Sequence, residues 1–172
     1  MLDNLLELVK QHAGDAIINN TDIPNERNDE AISFASSSIF EGLQKAIAGG
    51  QGGGVENLIG LFKGGGQAHQ NPITQNIQSN VVQGLMSQFG LGENKAGGIA
   101  SMLIPIVMNQ LVHKTNDPND KSFDIQDIFN KVSGGKTGGL DIGGLLNQFT
   151  GGGDKHQGGG GLLDSIKGLF GK

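Results

Sequence analysis

Apolar residues in this chain recur every three or four positions, and the runs they form stop at glycine pairs and triplets. That is helical spacing followed by helix-ending punctuation, and it predicts an all-α fold. The first run, 3–19, places Leu2, Leu5, Leu6, Val9, Ala13, Ala16 and Ile17 on one face, with Asp3 as N-cap. Asn19–Asp22 supplies turn chemistry, and Pro24 sits where a first helical turn tolerates proline. A second helix over 25–48 turns Ala31, Ile32, Ala35, Ile39, Leu43, Ala46 and Ile47 inward, with Glu26, Asp29 and Glu30 at its positive start. A short third helix over 55–63 carries Val55, Leu58, Ile59 and Phe62.

The same order then returns. Asn71-Pro72 predicts an N-cap and first-turn proline for a helix over 72–89, with Ile73, Ile77, Val81, Leu85 and Phe89 in its stripe. A helix over 93–114 follows, carrying Ile99, Met102, Leu103, Ile106, Val107 and Leu111. Pro105 in its middle removes one backbone bond and predicts a bend. A short helix over 124–133, capped by Asp124, carries Ile125, Ile128, Phe129 and Val132. Glu26/Glu93, Ile32/Ile99 and Ile39/Ile106 lie 67 positions apart. The apolar positions of the two short helices, and the glycine pairs that close them, lie 70 apart. The reading is a duplicated three-helix unit, about 1–66 and 71–135, sharing one core, with the three-residue drift absorbed in a loop.

Residues 136–172 form a different region. Fifteen of the 39 residues from Gly134 onward are glycine, a composition of flexible coil. Two apolar islets interrupt it. One holds Leu145, Leu146 and Phe149; the other holds Leu162, Leu163, Ile166, Leu169 and Phe170. Each is too short to be a stable helix alone, so both read as conditional helices. Leu145-Leu146-x-x-Phe149 followed by Gly151–Gly153 repeats Leu58-Ile59-x-x-Phe62 followed by Gly64–Gly66.

Composition excludes several chemistries. There is no cysteine, tryptophan or tyrosine, which removes disulfides, thiol nucleophiles, Cys-ligated metals and a tyrosine acid. Net charge is −5, Arg27 is the only arginine and no basic cluster exists, so nucleic acid is not an expected partner. The longest unbroken apolar run, Met102–Met108, has seven residues against the ~20 of a membrane span. Asp3 and Glu7 break the apolar start that a secretory leader needs, and the expected location is cytoplasmic.

Candidate sites for catalysis or cofactors do not assemble. His12, His69, His113 and His156 lack a second ligand at metal spacing. Ser36–Ser38 lies within a helix with no elbow or base, and reads as a small-residue contact strip. Gly135-Lys136-Thr137 lacks the strand and upstream glycine of a phosphate loop. Asp117, Asp120, Asp124 and Asp127 lack the glycine and glutamate of a calcium loop. No enzyme, metal or cofactor is expected.

Leu2-Asp-Asn-Leu-Leu-Glu-Leu-Val9, Ile104-Pro105-Ile106-Val107 with Asn109-Gln110-Leu111, and the glycine-punctuated short helices together resemble the YidB-like bacterial family of unknown function, in particular glycine-rich relatives from Bacteroidetes-type bacteria. The resemblance covers roughly 1–150. It implies an all-α, duplicated, cytoplasmic bacterial protein and supplies no activity or catalytic residues. The family's Leu-Pro step corresponds to Ile104-Pro105, whereas the aligned place in the first unit is Ser37-Ser38, so the two halves are not equivalent there.

The resulting expectation is a non-enzymatic, self-associating protein. Leu145, Leu146, Phe149, Leu162, Leu163, Ile166, Leu169 and Phe170 would dock into grooves of the 1–135 core, on the same molecule or on a neighbour. The alternative is membrane-surface binding through the amphipathic stretch 161–172, although the small positive charge of the tail gives weak attraction to anionic lipid.

Overall fold

Local signals set most helix boundaries. In the computed structural model, which describes residues 1–48, 55–63 and 68–132, Asn71 Oδ1 accepts from the Ile73 N–H at 2.9 Å with Pro72 just inside, so the fourth helix starts where the N-cap predicts. That helix ends at Gly90, whose φ of 68° is the left-handed conformation that favours glycine. Among the described residues there are six α-helices: α1 (Leu2–His12), α2 (Asn28–Ile47), α3 (Val55–Lys63), α4 (Pro72–Phe89), α5 (Glu93–Asn116) and α6 (Ile125–Val132). Among the described residues there is no strand, and the fold is all-α. Contacts divide the chain into a unit Met1–Leu140 and a unit Asp141–Lys172, and the second lies wholly outside the described residues.

Three boundaries differ from the sequence reading. The first helix stops at His12 and is followed by a π turn, Gly14–Ile18, in which the Ile18 and Asn19 N–H groups bond the Ala13 and Gly14 carbonyls. A glycine at position 14 weakens α geometry there. Asp3 sits in the first turn of α1, where its charge suits the helix dipole, but its side chain does not cap the helix. The second helix begins as a 3₁₀ turn, Asn25–Arg27, launched from Pro24. Asp124 caps α6 as expected, its Oδ1 accepting from the Asp127 N–H at 3.3 Å.

Burial corrects the register of the duplication. At a spacing of 67, Ile39 pairs with Ile106, yet Ile39 is buried and Ile106 is 42% exposed. At a spacing of 68 the buried positions coincide along both long helices. Leu5, Val9, Ala13 and Ile17 pair with Ile73, Ile77, Val81 and Leu85. Ala31, Ile32, Ala35, Ile39 and Leu43 pair with Ile99, Ala100, Leu103, Val107 and Leu111. Ile23 and Leu91, in the turns between the long helices, pair as well. For the short helices a spacing of 70 holds, with Leu58 and Ile59 matched by Ile128 and Phe129, all buried. The drift is therefore two residues, and it falls in the loop before α6. The closing glycine pairs at 64–65 and 134–135 lie outside the described residues.

The two halves interleave. Each long pair packs within its own half, α1 on α2 and α4 on α5. Across halves, α2 packs on α4 and α1 on α5. The short helices also cross: α3 reaches α5 as well as α2, and α6 packs on α2. Asn116 at the end of α5 donates to the Phe62 carbonyl of α3 at 2.7 Å, which ties this crossing down. Phe62 and Phe129, one from each short helix, are among the largest fully buried side chains. Neither half encloses its apolar residues alone, in line with the shared core that the sequence predicts.

Two glycines set the approach of α2 to α4. A Cβ on Gly42 would run into Ile77, and a Cβ on Gly84 would run into Phe34. Residue 34 thus meets 84 while 42 meets 77, so the helices are antiparallel and close. At the corresponding places of the α1–α5 pair stand Gln110 and Ala16.

Candidate interaction surface

The α1–α5 pair lacks those glycines, and its outer side chains differ in kind from those of α2–α4. Met102 and Ile106, one turn apart on α5, are 49% and 42% exposed. The sequence reading counts both among the apolar residues of this helix without separating them from the buried ones. Their exposure has a simple cause: Ile99, Met102, Leu103, Ile104, Ile106, Val107, Met108, Leu111 and Val112 span more of the α5 circumference than its neighbours can cover. Leu2 and Leu6 on α1, which the sequence reading puts on one face with Leu5 and Val9, are exposed too.

The pseudo-equivalent positions sharpen the contrast. Ile106 corresponds to Ser38, which is only 9% exposed, and Leu6 (36% exposed) corresponds to Thr74, which is fully buried. In both pairs the polar residue is inside and the large apolar residue is outside. Both buried polar residues belong to α2–α4; both exposed apolar ones belong to α1–α5. Met102 corresponds to Phe34, which rests on Gly84 and meets Phe89 at a centroid distance of 6.2 Å. Burial of apolar area is the ordinary solution for such side chains, so their exposure marks a surface available for contact.

Several polar groups elsewhere tie elements of the fold together. Arg27 stacks over Phe89 at 4.3 Å, binds both Glu30 carboxylate oxygens at 2.8 and 2.9 Å, and donates to the Gln88 carbonyl at the end of α4. The hydrogen bond from Arg27 holds the Glu30 carboxyl below its ordinary pKa, and the same bond raises the guanidinium. A cleft of about 540 Å³ at the end of α5 is lined by Gln110, His113, Lys114, Asp117 and Asp120. Its one close charge pair, Lys114 with Asp120 at 2.7 Å, is already satisfied. The Lys114 ammonium, followed by the Ser122 hydroxyl and N–H, holds the Asp120 carboxyl well below the usual range.

The acidic run 117–127 serves as turn and cap chemistry: Asp117 accepts from the Asn119 N–H, Asp120 from the Ser122 N–H, and Asp124 from Asp127. Ser36 is buried and donates to the Ile32 carbonyl at 2.8 Å, a helix back-bond without a base. Among the described residues no three His, Asp or Glu side chains converge as a metal site. His113 and His69 are exposed, His12 is half-buried, and His156 lies outside the described residues.

The docking residues predicted from sequence, Leu145, Leu146, Phe149, Leu162, Leu163, Ile166, Leu169 and Phe170, all lie outside the described residues. The helices they resemble do lie inside them. Leu58, Ile59, Leu61 and Phe62 of α3 and Ile128 and Phe129 of α6 are buried against the long helices. On average hydropathy and length α5 could cross a bilayer, but half of that stretch is buried within the helical unit, as in a core helix.

No curated protein and no solved structure matches the chain significantly. A family profile described as "Bacterial protein of unknown function (DUF937)" matches residues 71–172. The matched segment begins at the N-cap of α4, so it takes in the second half of the duplication and everything after it. The sequence resemblance covers roughly 1–150, whereas the profile match lies toward the C-terminal side. With well over half of its length matched, the chain belongs to this DUF937 family of bacterial proteins of unknown function.

Proposed function

We propose that the chain is a non-enzymatic, self-associating protein of the bacterial cytoplasm, within the YidB-like branch of its family. Residues 1–135 form the receiving core and residues 136–172 a docking arm. The observation that carries this reading is the behaviour of α3. A helix with the pattern Leu58-Ile59-x-x-Phe62 buries those side chains on long helices of both halves. The arm repeats the pattern at Leu145-Leu146-x-x-Phe149 after a glycine-rich stretch. Helix-in-groove docking on a flexible tether uses the same physics as the core, with the loop closed through a second molecule or through the same one.

Light scattering after size exclusion, with negative-stain images, tests the proposal on the full chain and on a 1–135 truncation. The full chain is expected as an assembly, and the truncation as a smaller species with unchanged helical circular dichroism. An equal number of subunits for the two refutes it. Membrane-surface binding through residues 161–172 is the competing reading, and it requires lipid-dependent pelleting of the full chain with anionic vesicles.

A further inference from the structure

We infer that the exposed α5 stripe of Met102 and Ile106 is the surface that receives the 145–149 segment of a second copy of this chain. The inference rests on the tail-docking reading above and names its receiving face. Three observations converge on it. First, Ile106 is exposed where its pseudo-equivalent, Ser38, is buried, and Met102 is exposed where its pseudo-equivalent, Phe34, rests on Gly84, so the exposure of the stripe is not a feature of the shared architecture. Second, α5 already accepts a helix of the required pattern on another side, where α3 packs. The segment Leu145-Leu146-x-x-Phe149 presents the same i, i+1, i+4 apolar set. Third, the arm leaves the core after α6, and α6 packs on α2. The main contacts of α5 are with α1, α3 and α4 and with the turns Gly14–Ile18 and Ala68–Gln70. The self-association proposed above assigns the arm to a neighbouring copy, and the disulfide test below separates that from the arm of the same chain.

Donor segment and receiving face are different surfaces, so the contact is heterologous. Each copy offers one of each, and assembly continues unless a ring closes. Mass should therefore rise with concentration without stopping at a dimer.

The absence of cysteine gives a clean test on the full-length chain. Met102→Cys combined with Phe149→Cys, under mild oxidation, is expected to give a ladder of covalent multimers on non-reducing gels, while each single variant stops at a dimer. An intramolecular disulfide that leaves only monomer overturns the choice of a second copy. In parallel, Met102→Lys with Ile106→Lys, at exposed positions, is expected to bring the scattering mass down to 17.9 kDa with helicity intact. Leu146→Lys with Phe149→Lys is the matching variant on the arm. If the arm variant dissociates the assembly and the α5 variant does not, the stripe is not the receiver, though the arm still is. A full-length chain that is already monomeric at all concentrations overturns both readings.

Discussion

Gly42→Ala tests the packing that brings the two halves together. In an exposed helix interior this substitution stabilises, because alanine has less backbone freedom to lose, by about 0.5–1 kcal/mol. Here the added methyl would enter the space of Ile77. The Cγ1 atom stands nearest, Cδ1 lies at 2.9 Å and Cβ at 3.5 Å. Ile77 is fully buried and branched at Cβ, so it has no free rotamer to swing into. The helices must separate or strain, which costs about 1–3 kcal/mol. After the propensity gain is subtracted, the net expectation is a destabilisation of up to about 2 kcal/mol, or several degrees in Tm for a chain of this length.

Urea unfolding followed by circular dichroism at 222 nm measures it. Gly98→Ala in α5 is the control, since nothing lies within 4 Å of its added Cβ. That variant should gain about 0.5–1 kcal/mol. Combining Gly42→Ala with Ile77→Ala should cost less than the two single changes added together, because the second removes the obstacle to the first. A Gly42→Ala protein as stable as the Gly98→Ala control, or strict additivity with Ile77→Ala, refutes the close α2–α4 approach.

Two further outcomes follow from the caps and the charge pairs. Asn71→Ala leaves the Ile73 N–H without its acceptor and should cost about 1 kcal/mol, read as a lower urea midpoint, with Asn71→Ser restoring most of it. Asp120 has a folded-state pKa below its ordinary 3.8, so its contribution to stability is complete above that value and is lost as pH falls through and below it. Between pH 5 and 2 the wild type should therefore lose more stability than Asp120→Asn, and identical slopes in a urea-midpoint series would show that the Lys114 contact is absent in solution.

Periodicity and punctuation carried most of this fold. Asn71-Pro72, Asp124 and the Gly90 turn are local signals whose effect does not depend on distant residues, and the helices they delimit begin or end where the pattern predicts. The π turn at Gly14–Ile18 was not legible, because its apolar residues keep near-helical spacing through it. The register of the duplication was misread by one residue because α5 is apolar around much of its circumference. Ile32 matches Ile99 in residue type at a spacing of 67, whereas burial pairs Ile32 with Ala100. The same breadth concealed Met102 and Ile106: an arc too wide for its neighbours was the available signal, and which edge stays outside depends on where α1 sits. The Phe34–Gly84 and Ile77–Gly42 contacts needed the antiparallel placement of α2 and α4, which no single stretch of sequence contains.

The crossing of the short helices also sets an order of events during synthesis. When α3 leaves the ribosome, the helix that Asn116 will pin to it is not yet made, and α2 still awaits α4 and α6. About seventy more residues must be added, roughly 4–14 s of translation at bacterial rates. Throughout that interval the first half carries apolar faces meant for partners that do not yet exist. A nascent chain in this condition is a client for whatever shields hydrophobic surface at the exit tunnel, and a stall between residues 66 and 93 would prolong its exposure. Two separately closed halves would have avoided that interval; interleaving makes synthesis of the second half, through α6, the step that closes the core.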